Sequence, residues 1–488
     1  MSIEINEQFR KALELIESGK NVFVTGRAGT GKSTLLEHFR DTTKKSAVVL
    51  APTGVAALNV NGQTIHSFFK FGTDITPEKV KRCRYHDKRL YKSLEAIVID
   101  EISMVRADML DCIDRFLRIN GPKIHTPFGG VQMIFFGDLL QLPPVVSRKE
   151  SEAFRNFYAS QYFFDSRSYP TLKIELIELE KIYRQKDQEF IGMLNSIRDG
   201  SITEEQLKRL NARVDPRFMP KAGDFCISLT TTNEMANEIN EAELARLPSK
   251  SHSFAGKMSG EFDLRYMPTE TNLTVKPGAQ VMMVSNDPLG RWVNGTVGRI
   301  KSIESRAHRD GIAEAIVLEL PDKETHEVLP YTWNMNRTFY NPESKKIESE
   351  PVGSFIQYPL RLAWAVTIHK SQGKTFKNVI IDIGSGAFSH GQVYVALSRC
   401  TRLEGIVLRR PIKRGHIFTD WKVKRFLEGC HEGNAGGTSG SGGGASIKDK
   451  DDGEQASEQA EEEQHSDRIK DKIVTVYRRT EYDEHGKY

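Results

Sequence analysis

The stretch "GRAGTGKST", Gly26 to Thr34, follows the apolar run Val22-Phe23-Val24 and leads into the helix-like "STLLEHFR". Gly26, Gly31, Lys32 and Ser33 satisfy G-x-x-x-x-G-K-[ST], and a strand before with a helix after is the context that pattern requires. In such a loop the backbone N–H groups at a helix N-terminus face phosphate oxygens, the lysine reaches the outer phosphates and the hydroxyl takes Mg²⁺. Gly26, Gly29, Thr30, Gly31, Lys32, Ser33 and Thr34 are therefore the candidate phosphate-binding residues.

Two further apolar runs answer this loop. "AIVIDEISMV" ends its aliphatic run in Asp100-Glu101, and a strand that delivers two carboxylates to its C-terminal edge sets one to hold Mg²⁺ through water and the other to deprotonate an attacking water. "FFGDLLQLPPV" carries Gln141, a neutral side chain suited to sensing a γ-phosphate and that water. Near the start, Gln8 offers an amide that could grip an adenine edge. Later in the chain, "YRQKDQEFIGMLNSIRDG" holds Arg184 and "VYVALSRCTR" holds Arg399, two guanidiniums that would stabilise charge on a transferring phosphoryl group if they crossed a cleft. A solvated surface role is the plain alternative for each arginine taken alone.

Gross composition narrows the surroundings. The 488-residue, 55.2 kDa chain is long enough for several cores. Residues 431–488 hold 14 acidic and 8 basic side chains, a net of −6, which leaves +10 on the remainder of a chain whose total is +4. A basic body suits a polyanion. The five cysteines form no C-x-x-C pair and sit apart from the histidines, which fits a reducing compartment without a zinc site or disulfide framework. Neither a signal peptide nor an apolar run of about 18 residues is apparent, so the expectation is a soluble, cytoplasmic protein of bacterial type with no membrane partner.

Apolar runs at 47–50, 96–100, 132–136, 225–229, 379–383 and 405–408 alternate with amphipathic segments, the signature of parallel sheets covered by helices. They fall into two groups, which predicts an α/β protein of two tandem lobes: residues 1–170, then 171–250 together with 358–430. Between the parts of the second lobe, "VKPGAQVMMVSND" and "RWVNGTVGRIKSIES" alternate and carry Pro-Gly and Asn-Gly turns, which predicts a small antiparallel β-barrel inserted over 251–357. Residues 431–488 read as a Gly/Ser linker and a disordered acidic tail.

Taken in order, "GRAGTGKST", "APTGVAALNVNGQTIHSFF", "IVIDEISMV", "FFGDLLQLPPV", "YRQ", "WAVTIHKSQGKTF" and "VYVALSRC" resemble the superfamily-one DNA helicases, most closely the PIF-type branch, from about residue 5 to 410. The resemblance implies two RecA-like lobes that clamp ATP and Mg²⁺ between them and move 5′→3′ along single-stranded DNA, unwinding forked duplexes. It implies Gly373 beside the γ-phosphate and a strand-splitting wedge subdomain at about 54–78. It also directs Thr53, His66, Thr367 and His369 to DNA, with Lys370 as a phosphate-seeking charge and Phe68 as a stacking or wedging ring. Phe68 as ordinary core is the competing expectation. G-quadruplexes and DNA–RNA hybrids are further substrates that the family suggests, in repair, recombination or telomere maintenance, with a monomer as the working unit. Two rivals stay open: a RecD-like subunit of a recombination nuclease, and an ATP-gated DNA-binding clamp or translocase that never unwinds.

Overall fold

The computed structural model describes residues 5–84, 87–146, 148–221, 223–262, 267–308, 311–384, 386 and 389–435. The linker and acidic tail expected from residue 431 lie, from 436 onward, outside the described residues; the last helix, Trp421–Ala435, runs five residues past the expected boundary.

The first lobe is built on a six-stranded parallel sheet in the order Gln63–Thr64, Ala47–Ala51, Ala96–Ile99, Gln132–Phe136, Val22–Gly26, Glu175–Leu179. Both faces are buried, as parallel strands demand. Val22 and Val24 pack into one apolar cluster with Leu35, Leu36 and Phe39, while Phe23 between them packs into the other with Ile97 and Phe135. Helix Glu7–Glu17 is capped by Asn6, whose side chain accepts from Phe9 N, and buries Phe9, Ala12 and Ile16 at helical spacing. Helix Lys32–Thr42 instead starts at Gly31 with φ +88° and no side-chain cap, which leaves its first-turn N–H groups for another acceptor.

The second lobe holds a four-stranded parallel sheet, ordered Ala365–Thr367, Ile227–Thr230, Val379–Asp382, Ile406–Leu408. Helices Gln188–Asp199 and Gln392–Ser398 share its core through Phe190, Met193, Ile197, Val393 and Leu397. All six apolar runs read from the sequence are strands of the two parallel sheets.

Four expectations need correction. The first lobe extends beyond residue 170, because Glu175–Leu179 pairs in parallel with Val22–Gly26 and closes that lobe's sheet. Segment 54–78 does not stand apart as a subdomain: Gln63–Thr64 joins the main sheet, and Ile65, Phe68 and Phe69 are in the first lobe's core. The insertion is antiparallel, yet it forms three open sheets of two, five and three strands rather than one closed barrel, and the five-stranded sheet recruits Leu360–Leu362. Finally, the C-terminal helix returns to the first lobe, where Val423 enters the core and Phe426 stacks on Phe164 at 4.3 Å. Nearby, Tyr162 of the first lobe shares its hydroxyl between His390 Nε2 at 2.8 Å and Asp420 Oδ2 at 3.0 Å, both from the second.

The insertion's longest hairpin, Tyr331–Asn341 with Lys346–Gln357, also reaches the first lobe. Gln63 donates to Asn336 O and accepts from Thr338 Oγ1, while Tyr340 and Ile347 pack on the first lobe's core. Among the described residues no helix is long and apolar enough to cross a membrane.

Candidate active site

Between the lobes lies a cavity of about 620 Å³, lined on one side by Gly29 to Thr34, Glu101 and Gln141 and on the other by Arg184, Gly373 and Arg399. The glycines of the loop are required by shape. At Gly26, φ is +149° and a Cβ would fall 2.5 Å from Leu179 O; at Gly29, φ is +81° and a Cβ would fall 2.5 Å from Arg184 Cβ. Thr30 is buried and donates to Arg27 O, fixing the turn.

Lys32 Nζ donates to Gly26 O at 2.7 Å and Arg27 O at 2.9 Å. Burial pushes its pKa down, against the attraction of Asp138 and Glu101. Burial raises both carboxyls at the end of strand Ala96–Ile99, Asp100 to about 6 and Glu101 to about 7, the latter also through its charged neighbour Asp100. Glu101 adopts φ +50°, a left-handed conformation rare for a residue with a Cβ. That turn swings its side chain into the cavity lining, which Asp100 does not join.

The two arginines carry the most telling electrostatics. Arg399 is 1% exposed, and among the described residues it donates to neutral oxygens alone: Val395 O, Ser371 O, Lys374 O and Ser398 Oγ. Burial and the like charge of Arg184 bring its pKa down to about 9. Arg184 donates to Ser398 O and Gly373 O and is likewise pushed down by burial. A buried and a half-buried guanidinium that share a cavity with a phosphate-type loop, neither hydrogen-bonded to a carboxylate among the described residues, leave positive charge that an anion between them would balance.

Some residues in or beside the cavity were absent from the sequence reading. Gln372 Nε2 donates to Gln141 Oε1 at 3.2 Å and Glu101 Oε2 at 3.3 Å, bridging the two lobes. Tyr394 accepts from Ala28 N at 3.0 Å, a bond from the second lobe's helix to the loop itself. Phe9 and Tyr183 form the aromatic end of the cavity. Gln8, expected there, is not in the lining; its Oε1 accepts from Glu180 N at 2.9 Å instead. Phe9, one residue on and facing inward, was the signal within the same helix.

The expected DNA residues differ in exposure. Thr53 caps helix Gly54–Asn59 by accepting from Ala56 N, and Thr367 is buried and accepts from Lys370 N. His66 and His369 are half-buried, the latter with its pKa lowered by burial, and Lys370 is exposed. Phe68 is corrected: it is 3% exposed and packs edge-on against Phe69 and Tyr91, so it belongs to the core and cannot reach a base. Basic residues cluster around Lys370. Lys374 is pushed down to about 8 by burial and by Arg361, and Lys370 also feels Arg361. Lys374 Nζ donates to Asn294 Oδ1 at 2.5 Å, and Asn294 Nδ2 donates to Asn59 Oδ1 at 2.9 Å, joining second lobe, insertion and first lobe.

Comparison with known proteins gives a consistent result. The family described as PIF1-like helicase matches residues 4–208. The chain is 33% identical over 415 residues to the human ATP-dependent DNA helicase PIF1, covering 83% of this chain and 60% of that one. It is 32% identical over 440 residues to the ATP-dependent DNA helicase Pif1 of Bdellovibrio bacteriovorus, covering 87% and 92%. It thus spans about three fifths of the human relative's length and nearly all of the bacterial one's. Among solved structures, it is similar to Bacteroides Pif1 in complex with ADP-AlF4 (35% identity, TM-score 0.80, 88% and 98% covered) and to Bacteroides Pif1 bound to ssDNA (36%, 0.65, 89% and 99%).

Proposed function

Because the chain belongs to the PIF1-like helicase family, we propose that it is an ATP-dependent DNA helicase that moves 5′→3′ on single-stranded DNA and opens forked duplexes. The observation that carries this reading is the cavity in which Lys32 of one lobe meets Arg184 and Arg399, the latter from the other lobe, with Glu101 beside them. A triphosphate there draws the guanidiniums toward the loop and favours a closed cleft; hydrolysis removes that differential contact and lets the cleft reopen. The relatives' complexes with ADP-AlF4, ssDNA and forked DNA support the same pair of ligands. At nearly equal identity the chain superposes less well on the ssDNA complex, which favours a rearrangement of lobes or insertion when DNA binds.

In this scheme Gly26 and Gly29 to Thr34 cradle the phosphates, Gly373 lies near the γ-phosphate, and Glu101 takes the proton of the attacking water that Gln141 orients. The donors fit Mg²⁺: the Ser33 hydroxyl and the Asp100 carboxylate are hard oxygens of the kind that ion takes. When bound, Mg²⁺ supplies positive charge to the phosphate oxygens. Thr53, His66, His369 and Lys370, together with Lys374 and Arg361, contact the DNA backbone, the buried Thr367 holds the Lys370 turn by accepting from its N–H, and the protein acts as a monomer.

Translocation on oligonucleotides carrying streptavidin at one end tests the motor directly. ATP should speed displacement from the 3′ end, toward which a 5′→3′ motor runs, and Glu101→Gln should abolish it. Equal displacement from both ends, or displacement without ATP, contradicts the reading.

A further inference from the structure

The hydrogen bonds around Gln141 form a chain whose direction is set at one end. Asp138 is fully buried; burial pushes its carboxyl up, but Arg198 and Lys32 outweigh this and hold it below the usual carboxylate range, so it is an anion that only accepts. Its Oδ2 accepts from Gln141 Nε2 at 3.1 Å, and its Oδ1 accepts from Leu140 N at 3.2 Å and Arg198 Nη2 at 3.1 Å. With Nε2 committed to Asp138, the amide presents Oε1 at its other end, where it accepts from Gln372, the residue that also donates to Glu101. Turning the amide over would set its oxygen against a buried carboxylate and its nitrogen against the N–H of Gln372. Both contacts would be repulsive.

The anchor of this chain spans the lobes. Arg198 lies on helix Gln188–Asp199, which packs in the second lobe's core, whereas Asp138 follows strand Gln132–Phe136 of the first. Their side chains are 6% and 0% exposed, so the pair is shielded from solvent and from salt. A close approach of backbone sits beside it: Gly391, just before helix Gln392–Ser398, would bring a Cβ within 2.3 Å of Gln141 O. The Gln141 loop is thus gripped by the second lobe at two points.

We propose that Asp138 and Arg198 are positioning residues that hold the Gln141 amide with its carbonyl oxygen toward Gln372 and Glu101, ready to accept from the attacking water, only while the second lobe is seated on the first. The proposal rests on the function assigned above and adds the device by which lobe position reaches the hydrolytic residues. Arg198 acts through Asp138, and Asp138 through Gln141; neither touches the nucleotide.

Four variants of the full chain test it through kcat and KM of DNA-stimulated ATP hydrolysis, with thermal unfolding to check the fold: Gln141→Met, Asp138→Asn, Asp138→Asn with Arg198→Gln, and Asp138→Asn with Gln141→Met. Gln141→Met and Asp138→Asn should each lower kcat at least tenfold while KM for ATP stays within twofold. In the Gln141→Met background, Asp138→Asn should cost nothing more, because its effect runs through the missing amide. Removing one partner of a buried pair can unfold a protein, and the charge-neutral double variant covers that case; it should fold and remain slow. Recovery of normal kcat by the charge-neutral variant, or an equal loss from Asp138→Asn with and without Gln141, overturns the positioning role. A normal kcat for Gln141→Met alone overturns the function assigned to Gln141 and this proposal with it.

Discussion

Replacing Arg399 by methionine should abolish ATP hydrolysis while leaving the fold nearly as stable as before. The guanidinium is 1% exposed, and burial and the like charge of Arg184 bring its pKa well down, to about 9. That fall corresponds to roughly 5 kcal/mol held against the folded state. The sign follows from the direction: at neutral pH the side chain is protonated both folded and unfolded, so the penalty on the buried cation applies in full. Methionine removes the penalty and keeps much of the volume, but it deprives Val395 O, Ser371 O, Lys374 O and Ser398 Oγ of a donor. At about 1 kcal/mol for each such bond the loss is roughly 4 kcal/mol, so the two terms nearly cancel. The reaction has no such cancellation, since loss of an arginine finger lowers phosphoryl-transfer rates by about 10³ to 10⁵. Phosphate release at saturating ATP and single-stranded DNA, paired with thermal unfolding, reads both quantities. A variant that keeps more than a tenth of kcat, or one destabilised by more than about 3 kcal/mol, refutes the reasoning.

Three further outcomes follow from the same geometry. Gly29→Ala places a Cβ 2.5 Å from Arg184 Cβ at φ +81°, so KM for ATP should rise at least tenfold, with a loss of about 1–3 kcal/mol in unfolding from the strained backbone; an unchanged KM would show that the loop yields without cost. Phe68→Ala should lose about 3–5 kcal/mol of stability, as a truncated core aromatic does, whereas a fork-splitting ring would leave stability intact and reduce strand separation alone. Lys374, pushed down to about 8, loses its charge as pH rises past that value, and only the charged form attracts DNA phosphates; affinity for single-stranded DNA at fixed salt should therefore fall between pH 7 and 9. Fluorescence anisotropy checks this, with Lys374→Met expected to bind more weakly and without that pH dependence.

The parts of the fold that the sequence made legible are those decided locally. A buried parallel strand is a short aliphatic run, and a phosphate loop needs its glycines at fixed offsets, so Val22–Gly26, Ala96–Ile99 and the residues that follow them could be recognised without a partner in view. Lobe membership is a long-range property. Glu175–Leu179 belongs to the first lobe because it pairs with Val22–Gly26, about 150 residues earlier, and nothing in "ELIEL" announces that. Helix Trp421–Ala435 docks on the first lobe through Val423 and Phe426, a choice made by the shape of the Phe163, Phe164 and Tyr169 surface.

The same division holds within the site. Lys32, Glu101, Gln141, Arg184 and Arg399 stand at positions whose chemistry is recognisable from their motifs, and they line one cavity. Gln372, Tyr394 and Arg198 were missed, although each lies inside a quoted motif, because their partners come from the opposite lobe. Phe68 was misjudged in the other direction. An aromatic next to His66 can face a base or the core, and only the ring packing with Phe69 and Tyr91 decides which.

The most direct test of the central claim is strand displacement by the purified chain on two matched partial duplexes, one with a 5′ single-stranded tail and one with a 3′ tail, in ATP and Mg²⁺. The account predicts that only the 5′-tailed duplex opens and that Glu101→Gln opens neither. Opening of the 3′-tailed duplex, or DNA-stimulated ATP hydrolysis with no strand displacement on either, would contradict it.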